Sequence, residues 1–207
     1  MDMKTKSLKG MTLALLMLIS AMAGCIGTED ETTDDTTEDE KAAFLDATDG
    51  GYTYASNVDN HRSLMQDLCD IKTAASESNW AEAKSIYTEG KNAEKSDGSF
   101  RTLAGFAAAE GKNHNYDTFY NQTGAIGAHI MAAMDGTGDF EGTSDTVRYQ
   151  GIAKLTANMG MVGYTIHELN AAVAKADAGN TDNDSGAPHN WDEGWAFYHG
   201  ANGGCGP

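Results

Sequence analysis

The stretch from residue 144 to residue 177, SDTVRYQGIAKLTANMGMVGYTIHELNAAVAKAD, carries the clearest helical pattern in the chain. Its apolar residues recur in alternating steps of four and three: Leu155, Met159, Val162, Ile166, Leu169 and Val173. This spacing places the six side chains on one face of an α-helix and predicts that this face packs in a helical bundle. Tyr164, His167 and Glu168 lie off the predicted face.

The rest of the folded region is also predicted to be helical. Alanine is abundant, β-branched alternation is scarce, and Pro188 is the only proline before the last residue. A helix over residues 57–75 places His61 on its buried stripe. Asn79 and Glu82 form a capping-box pattern, which predicts a second helix that ends near Gly90 and holds Tyr87 in the core.

The fold class predicted is therefore mainly α. We expect one compact, bundle-like domain of about five to six helices over residues 42–207. A signal peptide and an acidic tether are expected to precede it.

Residues 1–24 have the features of an export signal. Three lysines, at positions 4, 6 and 9, precede an apolar run from Met11 to Met22 that is too short to cross a bilayer comfortably. The run ends in AMAGC, which resembles the lipobox of prokaryotic lipoproteins, in which Cys25 would carry the lipid. A plain secretory signal or an uncleaved anchor is the alternative. Each of these three possibilities places the protein outside the cytoplasm. As a lipoprotein, it would be anchored to the membrane by the lipid on Cys25.

Residues 25–41 predict a disordered linker. Eight of the twelve residues from Glu29 to Glu40 are acidic and the other four are threonines, a composition that cannot form a core. The whole chain has a formal net charge of −17. This charge makes nucleic acid and anionic membranes poor partners and makes cations plausible ones.

The cysteines indicate one disulfide at most in the folded region. With Cys25 lipidated, Cys69 and Cys205 remain, and two cysteines outside the cytoplasm can pair. No Cys-x-x-Cys pair or Cys/His cluster indicates zinc or an iron–sulfur centre.

The segment HNWDEGWAFYHG, from His189 to Gly200, is the densest in large and ionisable side chains. Asn190 is expected to cap a helix whose first turn holds Asp192 and Glu193. Asp192 and His199 lie seven positions apart, about 10.5 Å along a helix, so they cannot share one small ion unless another element intervenes. The same residues also suit a helix anchored by tryptophans, with the carboxylates as caps.

Enzymatic motifs are missing from the sequence, so we expect a binding protein and not an enzyme. His167-Glu168 would begin a metalloprotease motif, but the second histidine would fall at position 171, which is alanine. We find no nucleophile elbow and no nucleotide-binding loop.

Four segments in the same order resemble the low-iron-inducible periplasmic protein family, the algal iron-assimilation domain that includes the phytotransferrins. They are Ile86 to Asn92, RTLAGF from Arg101 to Phe106, the helix bearing Glu168, and WDEGWAFYHG from Trp191 to Gly200. The resemblance covers residues 57–200. It departs from the family pattern at His167, where arginine is usual, and in ending soon after Gly200, where family domains usually continue with another helix.

The resemblance implies capture of Fe(III) at the cell surface for uptake, with carbonate as a co-bound anion and delivery to a transporter or receptor. The implied metal ligands are carboxylate and phenolate oxygens: Asp192, Glu193, Tyr198, Glu168 and Tyr87. His61, His167 and His199 are less favoured candidates. Arg101 and the backbone amides after Asn190 are candidates for the anion.

Two alternatives stay open on the sequence. One is a structural or adhesive surface lipoprotein without a metal. The other is an imelysin-like helical iron-uptake protein, although the glycine–histidine–glutamate motif of that group is not matched.

Overall fold

The structure, a computed structural model, describes residues 51–112, 115–200 and 204–207. The signal peptide, Cys25 and the acidic linker, which were predicted from the sequence, lie outside these residues. The helices are α1 (Asp59–Ser76), α2 (Trp80–Glu89), α3 (Leu103–Ala108), α4 (Asn115–Tyr120), α5 (Ala125–Asp135), α6 (Asp145–Lys154), α7 (Val162–Asp177) and α8 (Ala187–His199). The prediction of a mainly α fold is confirmed.

The core lies where α1, α2 and α5 pack on the helices that follow them. Leu64, Leu68 and Ile71 of α1 are fully buried there with Ile126 and Ile130 of α5. These α1 residues follow the predicted stripe, and the helix begins two residues later than predicted. The stripe brings His61 into the interior, where only 8% of the residue is exposed.

Helix α2 begins as the capping pattern predicts. The side chain of Asn79 accepts a hydrogen bond from the backbone N–H of Glu82, and the helix ends before Gly90, which has a positive φ of 79°. Glycine suits this position because its backbone adopts positive φ without strain.

The predicted apolar face of the long helix is wrong. Met159, Ile166 and Val173 are each about half exposed, whereas Tyr164 and Glu168, predicted to lie off the face, are buried. The reason is a π-helical segment, Leu155–Met161, between α6 and α7. Its wider i→i+5 hydrogen bonding changes the angular step per residue, so one 3.6-residue period cannot describe the whole stretch.

Helix α8 begins earlier than expected. Pro188 stands in its first turn and Gly186 precedes it, which puts Asn190 inside the helix instead of at its cap. The N–H of Asn190 donates to the carbonyl of Gly186, so the turn is already hydrogen-bonded within the helix. The expected role of Asn190 as cap is therefore wrong, and Asp192 and Glu193 lie beyond the first turn.

A disulfide joins Cys69 of α1 to Cys205, 136 residues later in the chain. It fastens the segment after α8 to the first helix. None of the helices in the described part of the chain is both long enough and apolar enough to cross a membrane.

Candidate metal centre between helices α7 and α8

Asp192 of α8 is completely buried and binds the segment that precedes α1. Its Oδ1 accepts a hydrogen bond from the Tyr52 hydroxyl at 2.6 Å. Its Oδ2 accepts from the backbone N–H groups of Ala55 and Ser56 at 2.9 and 2.7 Å, and from the Ser56 hydroxyl at 2.9 Å. Burial and the bond to Asp192 raise the pKa of Tyr52, which keeps its hydroxyl a donor.

Three of these hydrogen bonds reach Oδ2 and one reaches Oδ1. Asp192 therefore fastens residues 52–56 to α8, and its carboxylate is engaged by donors of that segment.

Glu193, the next residue, faces a different environment. Its Oε1 lies 3.5 Å from Nε2 of His61 on α1 and 3.3 Å from Nε2 of His189, one turn earlier on α8. Only 16% of the Glu193 side chain is exposed. Two imidazole nitrogens from different helices thus converge on one carboxylate oxygen.

A second carboxylate, Glu168 of α7, completes this group of side chains. It is 4% exposed, and its charge helps to raise the pKa of Glu193. Its Oε2 accepts from the side-chain amide of Asn190, and its Oε1 lies 3.9 Å from Nζ of Lys112. We refer to His61, Glu168, His189 and Glu193 as the carboxylate–imidazole cluster.

The pKa values within the cluster reflect burial first and neighbouring charge second. Burial, together with the charge of Glu168, raises the pKa of Glu193 from 4.5 to about 7. Burial, helped by the charges of Arg101 and His189, lowers the pKa of His61 from 6.5 to about 3. His61 is therefore neutral at physiological pH, and neutral imidazole is the form that binds metals.

Aromatic rings fix His61 and form one wall of the site. The His61 ring packs edge-on against Phe197 with centroids 5.2 Å apart, and Phe106 packs against Tyr164 at 4.7 Å. Phe106 is positioned by the short helix α3, whose N-cap Thr102 accepts a hydrogen bond from the N–H of Gly105.

Arg101 lies beside the cluster. An open cavity of about 330 Å³ is lined by Arg101, Phe106 and Tyr164, among others. Nε of Arg101 donates to the side-chain carbonyl of Asn60. Its charge helps to lower the pKa of His61 and opposes the rise in the pKa of Glu193, which places positive potential at this part of the cluster.

The other sequence candidates lie elsewhere. Tyr87 is 1% exposed in the core among α2 and α5, and burial raises its pKa. Tyr198 is 54% exposed and lines an apolar groove with Trp191 and Trp195. His199 stacks on Trp195, and His167 packs against the Tyr164 ring.

Sequence reasoning missed His189 and Lys112. His189 precedes Glu193 by four positions, a spacing that places both on one face of a helix, so the signal was present. Lys112 follows α3 in a loop, and no spacing links it to Glu168. In residues 51–112, 115–200 and 204–207, no three His, Cys, Asp or Glu side chains stand where they could jointly hold a metal ion as they are placed.

These features define a class: an acidic, mainly α, disulfide-bonded protein with one buried and one partly buried carboxylate next to two imidazoles. A family model described as low iron-inducible periplasmic protein matches residues 36–207, and the chain belongs to this family. The description places the family outside the cytoplasm and links it to low iron. No curated protein and no solved structure matches the chain significantly.

Proposed function

We propose that the protein binds ferric iron at the carboxylate–imidazole cluster and serves iron uptake outside the cytoplasm. The observation that carries the proposal is the convergence on Glu193. One of its oxygens lies 3.3 and 3.5 Å from the Nε2 atoms of His189 and His61, and the charge of a second carboxylate, Glu168, helps to raise the pKa of Glu193.

The spacing of these atoms suits a shared ion. Two ligands about 2.1 Å from one metal, at angles between octahedral and tetrahedral, lie roughly 3.0–3.4 Å apart. Carboxylate oxygen and neutral imidazole are both ligands that iron accepts. Binding would require Glu168 to turn from Asn190 and Lys112 toward the ion, because its oxygens now contact those two side chains.

Carbonate is proposed as a co-bound anion. Arg101 lines the cavity beside the cluster, and Lys112 stands 3.9 Å from Glu168. A small divalent anion between these cations would offset charge and supply further oxygen ligands. The amides after Asn190 are less suitable, since they lie within α8.

The wider role proposed is capture and delivery without catalysis. The protein would be held at the membrane by a lipid on Cys25, at the end of the acidic linker. It would pass iron to a transporter or receptor.

The test is iron binding by the purified protein. Wild type, Glu193→Gln and the control Glu141→Gln are loaded with ferric citrate, with and without bicarbonate, and bound iron is measured after gel filtration. Glu193→Gln removes a ligand charge and keeps the shape, whereas Glu141 is an exposed loop residue. We expect Glu193→Gln to weaken binding at the cluster by at least about 10–100-fold, and Glu141→Gln to behave as wild type.

Two further variants separate the parts of the proposal. His189→Gln should weaken binding as Glu193→Gln does, while Arg101→Gln should reduce only the effect of bicarbonate. Iron binding that is equal in wild type and Glu193→Gln would contradict the cluster as the site. Only weak, non-stoichiometric iron on wild type would contradict iron carriage altogether and favour a structural role.

A further inference from the structure

A second group of metal-binding side chains lies on α4, α5 and the turn after α5. Tyr116 and Tyr120 of α4, His129 of α5 and Asp139 line one open cavity of about 270 Å³. None of the four belongs to the carboxylate–imidazole cluster, and none falls in the segments that resemble the family pattern.

Helix α4 lies at the surface, where Tyr116 is partly buried against the core and Tyr120 is exposed. None of its residues is buried, Tyr120 is 51% exposed, and the neighbouring Phe119 is 79% exposed. The carboxylate of Asp117 accepts hydrogen bonds from the N–H groups of Gly124 and Ala125, which fixes α4 against the start of α5. Core packing therefore accounts for the ring of Tyr116 in part, but not for Tyr120.

The polar atoms of the group point at one another. Tyr116 and Tyr120 are four positions apart on one helical face, and their ring centroids are 4.8 Å apart. The Tyr116 hydroxyl also hydrogen-bonds Nδ1 of His129. On the opposite edge of the imidazole, Nε2 lies 3.3 Å from Oδ2 of Asp139.

This arrangement is that of a metal-binding histidine with an outer carboxylate. An acceptor at Nε2 favours the tautomer in which Nδ1 carries the lone pair, which here faces the Tyr116 hydroxyl, and such carboxylates orient the ring of a ligating histidine. Phenolate is a hard, anionic oxygen ligand and is used by proteins to bind iron. Two phenolates and one imidazole thus form three sides of a site for a hard, highly charged cation.

We propose that Tyr116, Tyr120 and His129 form a second cation site that binds Fe(III) through two phenolates and Nδ1, with Asp139 as the positioning residue. The site is independent of the carboxylate–imidazole cluster. It is open to solvent, so water or a small chelating anion can fill the remaining coordination positions.

Visible spectroscopy of the iron-loaded protein tests this site directly. Wild type, Tyr116→Phe, Tyr120→Phe, the double variant and the control Tyr149→Phe are loaded with ferric citrate and freed of excess iron. We expect wild type and Tyr149→Phe to show a phenolate-to-iron charge-transfer band. Tyr116→Phe and Tyr120→Phe should each lose most of the intensity of this band. The double variant should show no band and should bind one equivalent of iron fewer than wild type. Circular dichroism checks the folding of each variant.

Asp139→Asn tests the positioning role. It should keep the band, because both phenolates remain, but weaken binding by about 10–100-fold and shift the band. An iron-loaded wild type without the band, or a band that survives in the double variant, would overturn the proposal. Should Tyr116→Phe fail to fold, the exposed Tyr120→Phe decides alone.

The two proposed sites can be tested independently of each other. Glu193→Gln should keep the coloured band while losing iron from the cluster. If Glu193→Gln keeps all its iron and the tyrosine variants lose theirs, the cluster is not the site but the second site stands. The reverse result overturns the second site and leaves the proposed function intact.

Discussion

Asp192 and Glu193 are neighbours in the sequence, and the structure places them in opposite situations. The carboxylate of Asp192 accepts four hydrogen bonds from Tyr52, Ala55 and Ser56. The carboxylate of Glu193 faces two imidazoles and another carboxylate, and its pKa is raised to about 7. One carboxylate is surrounded by hydrogen-bond donors, and the other faces two imidazoles and a second carboxylate.

The difference follows from helical geometry. Consecutive residues on an α-helix point about 100° apart, so one turn can contact two unrelated neighbours. Asp192 faces the N-terminal segment and Glu193 faces α1 and α7. A buried acid with a full set of donors holds a fold together, whereas one with too few donors has capacity left for a cation.

The largest effect is expected from Asp192→Ala. It leaves the N–H of Ser56 and the hydroxyl of Tyr52 without their acceptor, and should lower the free energy of unfolding by about 3–5 kcal/mol. Urea denaturation measures the change. Asp192→Asn, which keeps one accepting oxygen, should lose about half as much. A loss below about 1 kcal/mol would show that Asp192 is no anchor.

Glu193→Gln should act in the opposite direction in the metal-free protein. Because folding raises the pKa of Glu193 from 4.5 to about 7, ionised Glu193 opposes folding increasingly as pH rises between these values. The variant should therefore match wild type near pH 4.5 and be more stable by roughly 1–2 kcal/mol at pH 8, allowing for partial solvent screening. Urea denaturation across this pH range measures the difference.

The titration of His61 also changes the free energy of unfolding in this pH range. Its pKa falls from 6.5 to about 3 on folding, so it costs stability as pH falls below 6.5. Because His61 contacts Glu193, this loss differs between wild type and Glu193→Gln, and the comparison at pH 8, where His61 is neutral in both proteins, decides. The control Glu141→Gln should show no pH-dependent difference, and a difference for Glu193→Gln that is constant with pH would contradict the raised pKa.

The smallest effect is expected from Tyr52→Phe. It removes one of the four donors to Asp192 and should lower the free energy of unfolding by about 1 kcal/mol, because three donors remain. Tyr198→Phe, whose ring is half exposed, is the matched control and should change stability by less than about 0.5 kcal/mol. Equal effects of the two variants would show that the Tyr52 hydroxyl contributes nothing to the anchor.

The features that depend on the local spacing of residues could be predicted from the sequence. The capping box at Asn79, the buried stripe of α1 and the mainly α class all follow from spacings of three and four residues. The family segments were also recognisable, and the family model covers residues 36–207.

Features that depend on a change of period or on distant contacts were not predictable. The π-helical segment between α6 and α7 rotates the buried face, which exposes Ile166 and buries Glu168. The separate roles of Asp192 and Glu193 depend on residues 52–56, about 140 positions earlier. His189 could have been found from its spacing to Glu193, but the pairing of Tyr116 with His129 required the turn between α4 and α5.

The bond between Cys69 and Cys205 makes most of the folded chain a covalent ring. Outside the cytoplasm a protein meets proteases, and its exposed turns are where they cut. A single cut anywhere between these two cysteines, for instance in the loop before α8, would leave both fragments attached. The helices that carry His61 and Glu193 would then remain tethered to each other in a nicked molecule.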